Sequence, residues 1–172
     1  FHERTVSVFF DSFEDVQAFL QDYTPNPDDT VVALVDLSFK KSHNSHELFS
    51  GYDIIPLLKE HGINSIVYSS HEAGSIVAHA IGNQVGALGY VSKNSDTSVL
   101  KQALDEVAKG KLFVQQDLVD SYVKVNNAME SLTRREKEVI THLSMHAFYY
   151  PSNRVLNTLV TLFASESTKS FI

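Results

Sequence analysis

The sequence predicts an α/β fold, a doubly wound parallel sheet covered by helices on both faces, with a small all-α segment at the C-terminal end. Three observations carry the prediction. Strand-like and helix-like segments alternate from Thr5 to Ala108, and the connections between them are short, which is the pattern of repeated β-α units on a parallel sheet. The run Val31-Val32-Ala33-Leu34-Val35 is apolar without alternation, as expected of a strand buried on both faces. It stops abruptly at Asp36, which places a carboxylate at the carboxyl edge of the sheet, where open α/β folds put their chemistry.

Taken in order, Thr5 to Phe10 is β-branched and aromatic and reads as the first strand. Phe13, Val16, Phe19 and Leu20 share one face of a helix, which the turn Thr24-Pro25-Asn26-Pro27-Asp28-Asp29 must end. Val31 to Leu37 is the second strand, and Ile54 to Glu60 is a second helix around Leu57 and Leu58. A third strand spans Ile63 to Tyr68, a third helix includes Ile76 to Ile81, and a short fourth strand covers Ala87 to Val91. Val99, Leu100, Ala103, Leu104 and Val107 line an amphipathic helix, with Gly110 placed to cap it. Asp117 to Glu130 is helical and polar, and Ser131-Leu132-Thr133-Arg134-Arg135-Glu136 restarts structure, with Ser131 or Thr133 as N-cap and a capping box from Thr133 to Glu136. The expected division is therefore one α/β domain over residues 1–113, a linker helix over 114–130 and a helical unit over 131–172.

With 172 residues, 43% hydrophobic and 20% charged, the chain suits one well-cored domain plus an appendage. It has no cysteine, so a disulfide framework, a thiol nucleophile and a thiolate metal site are excluded, and a cytoplasmic location is the expectation. No apolar stretch is long enough to cross a bilayer, so no membrane partner is expected. The chain begins Phe1-His2-Glu3-Arg4, without a signal-peptide layout or an initiator Met, and a processed, trimmed or incomplete N-terminus is expected. A net charge of −7 argues against nucleic-acid binding by the whole surface. From Ser131 onward, however, Arg134, Arg135, Lys137, Arg154 and Lys169 face only Glu136, Glu138 and Glu166, so any nucleic-acid role belongs to this mildly basic end.

Asp36, the Tyr68-Ser69-Ser70 stop and the run Gly89-Tyr90-Val91-Ser92-Lys93 put an acid, a hydroxyl and an amine at three successive strand ends. A carboxylate attacks a phosphoryl group only when charge on the transferring oxygens is neutralised, so an amine beside it points to phosphoryl-acceptor chemistry. The plain structural alternatives are a helix-capping Asp36, a Ser69 or Ser70 that satisfies backbone groups, a surface Lys93 and a half-buried edge Tyr90.

With these motifs in order, together with Ile66-Val67-Tyr68-Ser69-Ser70-His71, Gly86-Ala87-Leu88-Gly89-Tyr90-Val91-Ser92-Lys93 and Leu132-Thr133-Arg134-Arg135-Glu136-Lys137-Glu138-Val139-Ile140, the chain resembles the response regulators of two-component signalling. The likeness is to the NarL/FixJ type, a flavodoxin-like receiver domain joined to a LuxR-type helix-turn-helix, and it runs from about Thr5 to Leu143. It implies a non-enzyme, a cytoplasmic phosphoprotein that regulates transcription as a homodimer, with a sensor histidine kinase and DNA as partners. By the resemblance Asp36 is the phosphoacceptor and one ligand of a Mg²⁺ ion, Ser69 is the switch hydroxyl in preference to Ser70, Lys93 pairs with the phosphoryl group, and Tyr90 changes burial between states.

The sequence also departs from that family. The family's acidic pair at the end of the first strand is not visible, because Thr5 to Phe10 stands at the distance from Asp36 expected of the second strand. The first βα unit and its metal acids are thus expected to be missing; a rival alignment makes Asp11 the metal acid. The loop after Asp36 lacks the usual Pro-Gly turn and carries His43 and His46, three apart beside Glu47, more simply a solvated loop than a metal site. After His142-Leu143 the chain has Ser144-Met145-His146-Ala147-Phe148-Tyr149-Tyr150-Pro151, and Pro151 forbids a continuous helix. Only Lys169 and Ser170 remain as candidates for DNA contact at the start of an unfinished recognition helix. Two other functions compete: a degenerate receiver acting through phosphorylation-independent protein contacts, and a flavodoxin-like enzyme or ligand binder, for which none of the seven glycines forms the required phosphate-cradling loop.

Overall fold

The structure, a computed structural model, describes residues 7–38 and 50–140. Its centre is a four-stranded parallel sheet in the order β1-β2-β3-β4. The strands are β1 (Val32–Val35), β2 (Asn64–Ser69), β3 (Gly89–Ser92) and β4 (Phe113–Val114), and the helices are α1 (Phe13–Asp22), α2 (Gly51–Glu60), α3 (Gly74–Ile81), α4 (Thr97–Ala108) and α5 (Gln116–Glu130). Helices lie on both faces, so the α/β, doubly wound architecture expected from the alternating segments is the observed one.

The two faces follow from strand alternation. Ala33 and Val35 of β1, Val67 of β2, Tyr90 of β3 and Val114 of β4 point into one core, built from Phe13, Val16 and Leu20 of α1, Ile54, Ile55 and Leu58 of α2, Val77 and Ala80 of α3, and Leu118 of α5. Val32, Ile66, Tyr68, Val91 and Phe113 point the other way, onto Ala103, Val107, Val99, Leu100 and Leu104 of α4. Leu34 belongs to this second face, but α4 does not cover it, and it remains 47% exposed.

Local sequence explains the helix starts. Ser12 caps α1 by accepting from the Asp15 amide, and Ser50 and Asp53 form a reciprocal capping box at α2. That box starts α2 one turn before the Ile54 expected from periodicity and leaves Pro56 inside the helix. At the end of α4, Gly110 adopts φ +74° and its amide reaches the Val107 carbonyl, the glycine turn expected there. Thr133 and Glu136 make the predicted capping box, the Thr133 amide donating to Glu136 Oε2 at 2.8 Å, and residues 134–140 are helical.

One expectation fails. In the described part of the Thr5 to Phe10 segment, residues 7–10 form no strand, and Val8 and Phe9 stand 60% and 90% exposed. β-branched and aromatic composition favours a strand only where a neighbouring strand supplies hydrogen bonds and a packed face. Here only Phe10 is held, against Phe19 of α1 at a ring separation of 5.1 Å. Conversely, β4 was not foreseen, because two residues carry no periodicity. Thr5, Val6, His43, His46 and everything after Ile140 lie outside the described residues, and with them the expectations for the loop after Asp36 and for the tail.

Two glycines set how closely elements approach. A Cβ on Gly51 would meet the Asp36 carbonyl oxygen at 2.6 Å, so the first turn of α2 can sit against the end of β1 only because that residue is glycine. A Cβ on Gly74 would meet the Ser121 carbonyl oxygen at 2.5 Å, where α5 crosses the first turn of α3. Gly74→Ala is therefore expected to lower stability by about 1–3 kcal/mol in urea unfolding, because the obstructing atoms are backbone and cannot turn aside.

His79 on α3 supplies a second prediction. Its ring packs edge-on against Tyr52 of α2 at 4.8 Å, and its Nε2 is buried without a hydrogen-bond partner. Burial holds its pKa below the ordinary histidine value of 6.5. The unfolded chain therefore takes up the proton first, so stability is at its full value above pH 6.5 and declines as the pH falls below it. In urea titrations at stepped pH, His79→Phe should flatten this decline; an unchanged slope would show that His79 is not its source.

Candidate functional site

The carboxyl edge of the sheet brings together the residues singled out in the sequence. Asp36 follows β1 directly, and Val35 is paired with Val67 of β2, so Asp36 opens beside the end of that strand. Ser69 ends β2 in register with Ser92 of β3, and the Lys93 amide donates to the Ser69 carbonyl at 2.9 Å, carrying the ladder one step further. That step turns Lys93 across β2, and its Nζ donates to Asp36 Oδ2 at 2.5 Å. The other carboxylate oxygen, Oδ1, accepts from the Ser38 amide at 3.0 Å. The two side chains are 36% and 38% exposed, an ion pair at the rim rather than in the core.

The neighbouring residues are buried. Ser69 is fully buried, and its Oγ accepts from the His71 amide at 3.2 Å, whereas Ser70 is exposed. In this structure Ser69 thus does what a strand-end serine ordinarily does, satisfying backbone. Tyr90 is fully buried as well, not half-buried at an edge, and its hydroxyl donates to the His71 carbonyl at 2.6 Å. Burial drives the Tyr90 phenol well above its ordinary pKa, and the negative charges of Glu72 and Asp36 push the same way, against an opposing hydrogen bond from Ser69. The loop from Ser70 to Ala73 is therefore clamped at His71 from both sides, by Ser69 and by Tyr90.

A group not anticipated from sequence lies one strand further along. Ser92, 1% exposed, donates from Oγ to Glu72 Oε1 at 2.5 Å and from its amide to Gln115 Oε1 at 2.9 Å. Asn94 adds a second donor to Glu72, at 3.1 Å. These hydrogen bonds hold the Glu72 carboxyl below its ordinary pKa. A hydroxyl ending an otherwise apolar strand was the visible signal for Ser92, but no local pattern could have paired it with Gln115.

The expected Mg²⁺ is not supported by the residues in view. Among the described residues no three His, Asp or Glu side chains come together. Asp36 offers a single carboxylate already engaged by Lys93, and hard cations need several oxygen ligands. Asp11 is exposed ahead of α1. Lys169 and Ser170 lie outside the described residues. Among those residues, no helix is long and apolar enough to cross a membrane.

A scan of protein families finds no match to the chain. A probable transcriptional regulatory protein, SgaR of Hyphomicrobium methylovorum, is 33% identical over 82 residues, 46% of this chain and 36% of that protein, so the chain spans about a third of this curated relative. Among solved structures, two RcsB dimers bound to two parallel DNAs match with a TM-score of 0.56 and 21% identity, over 94% of this chain and 73% of that one. The RcsB–DNA complex matches with a TM-score of 0.54 at 21% identity, over 91% and 71% of the two chains. RcsB of Salmonella typhimurium gives 0.53 at 21% identity, over 94% and 74%. At this identity the likeness establishes a shared fold.

The geometry predicts unequal costs. Tyr90→Phe removes the hydroxyl that donates to the part-buried His71 carbonyl and should cost about 1 kcal/mol in urea unfolding. Lys93→Ala breaks only a rim ion pair and should cost at most about 1 kcal/mol.

Proposed function

We propose that this chain is a response regulator of transcription, in which residues 1–113 form a phosphorylatable receiver, 114–130 a linker helix and 131–172 a helix-turn-helix-like DNA-binding unit. One observation carries the reading: the ammonium of Lys93 rests on the carboxylate of Asp36 at the edge where Ser69 and Ser92 end their strands. The fold shared with RcsB supports it, as does the likeness to SgaR. RcsB has been seen as dimers on DNA, and a homodimer binding DNA is accordingly the assembly proposed here.

In this reading a sensor histidine kinase presents a phosphorylated histidine. An Asp36 oxygen attacks phosphorus, the P–N bond breaks, and the imidazole leaves with a proton. Lys93 moves from the carboxylate to the transferred oxygens, whose charge it offsets. Ser69 exchanges its His71 amide contact for a phosphoryl oxygen, which frees one side of the loop clamp.

The chemistry is tested by incubating the chain with acetyl phosphate, with and without Mg²⁺, and measuring the gain of one phosphoryl mass. Asp36→Asn should abolish the gain, and Lys93→Ala should slow it by about 10²-fold. A second reading, a degenerate receiver working through constitutive protein contacts, is favoured by the pairing of Asp36 with Lys93 and by the lack, among the described residues, of a cluster of three His, Asp or Glu that could hold a metal. No mass gain under any of these conditions would select it. For the C-terminal unit, gel shifts across a salt series should show specific binding that Lys169→Ala and Ser170→Ala weaken; binding that is absent at physiological salt would remove the DNA role from this chain.

A further inference from the structure

The hydrogen bonds around Ser92 connect two parts of the molecule that the acceptor chemistry alone does not join. On one side, Ser92 is the backbone neighbour of Lys93, whose side chain holds Asp36. On the other, the Ser92 amide donates to the side chain of Gln115, the residue that caps α5. Caps usually turn their side chains onto the first amides of their own helix. Gln115 does not: no side-chain capping bond is made to α5, and its amide donates to the Tyr90 carbonyl at 3.1 Å. Gln115 is 8% exposed, so α5 is pinned at its head to β3, at Ser92 and Tyr90, rather than by its own first turn.

A second attachment holds α5 further along. Ser121 lies in backbone contact range of Gly74, and Leu118 is buried in the α1–α2–α3 core. Gly74 begins α3 immediately after the loop that Ser69, Tyr90 and Glu72 fasten, and Glu72 is itself bonded to Ser92 Oγ. The two attachments of α5 therefore end on β3, at Tyr90 and Ser92, and on Gly74, next to the clamped loop. α5 leads in turn to the capped helix over 134–140.

We infer that Ser92 and Gln115 form a latch that couples the Asp36–Lys93 pair to the seating of α5, so that displacing Lys93 loosens or re-seats the helix that carries the C-terminal unit. The inference rests on the proposed reading of Asp36 only for what trips the latch, since the coupling itself is a property of the resting chain. Gln115 is a positioning residue here and touches no reacting atom.

The test is hydrogen exchange on the full 172-residue chain, followed by peptide over α5 with α2 as internal reference. Gln115→Met, which keeps volume and removes the acceptor, should raise exchange in α5 by about fivefold, the shift expected of one lost hydrogen bond, and leave α2 unchanged. Lys93→Ala should raise α5 exchange too, and the double variant should exceed neither single by more than a small margin, since both act through one latch. Unchanged α5 exchange in Lys93→Ala, or full additivity in the double variant, overturns the inference. Beryllofluoride, with its bound state read by fluorine NMR, separates the two proposals. Bound beryllofluoride that leaves α5 exchange unaltered overturns the latch. Non-additive variants without any bound beryllofluoride uphold the latch and remove the acceptor reading of Asp36.

Discussion

Parallel strands buried on both faces hold few polar side chains along their length, because each must find a hydrogen-bond partner away from water, so polarity gathers at the strand ends. That constraint organises this protein. Val35, Val67 and Val91 are buried within their strands, whereas Asp36, Ser69, Ser92 and Lys93 gather where the strands stop. Because the strands are parallel, their carboxyl ends lie at one edge, and residues from distant parts of the chain become neighbours without any special loop. The rim position also keeps Asp36 and Lys93 partly in water, which spares them the desolvation cost of a buried ion pair.

The same edge contains two kinds of polar group with different behaviour. Asp36 and Lys93 are accessible and exchangeable. Ser69, Tyr90, Ser92 and Gln115 are buried, and their hydrogen bonds run to backbone, to one another or, from the Ser92 hydroxyl, to Glu72. A buried network has few arrangements in which every donor and acceptor is matched, so it changes between discrete states rather than yielding gradually. An accessible pair set against such a network is the arrangement a chemical signal needs in order to move something larger than itself.

Most of the architecture was legible because it rests on patterns that local sequence carries. The β-branched run ending at Asp36, the spacing of Val99 to Val107, Gly110 and the Thr133–Glu136 capping box each encode their own element. The Thr5 to Phe10 reading failed in its described part because strand composition has no meaning without a partner strand. β4 and the early start of α2 were missed for the opposite reason: a two-residue strand and a helix opening on Gly51 owe their form to neighbours. At the site, Asp36 and Lys93 were legible as strand-end residues, but the burial of Tyr90 and the pairing of Ser92 with Gln115 were not. Those depend on how α5 packs against α3, which only assembly decides.

The distance along the chain between Asp36 and Lys93 has a consequence for how the protein comes into being. The pair closes across 57 residues, with β2, β3, two helices and their connections between. No hairpin or single helix can bring the two together, and each parallel crossover must be laid down before the next strand finds its place. The ion pair is thus a late event in folding, absent from any collapsed intermediate that has not aligned three strands. A chain in which β1, β2 and β3 are not yet aligned therefore has no Asp36–Lys93 pair at this edge.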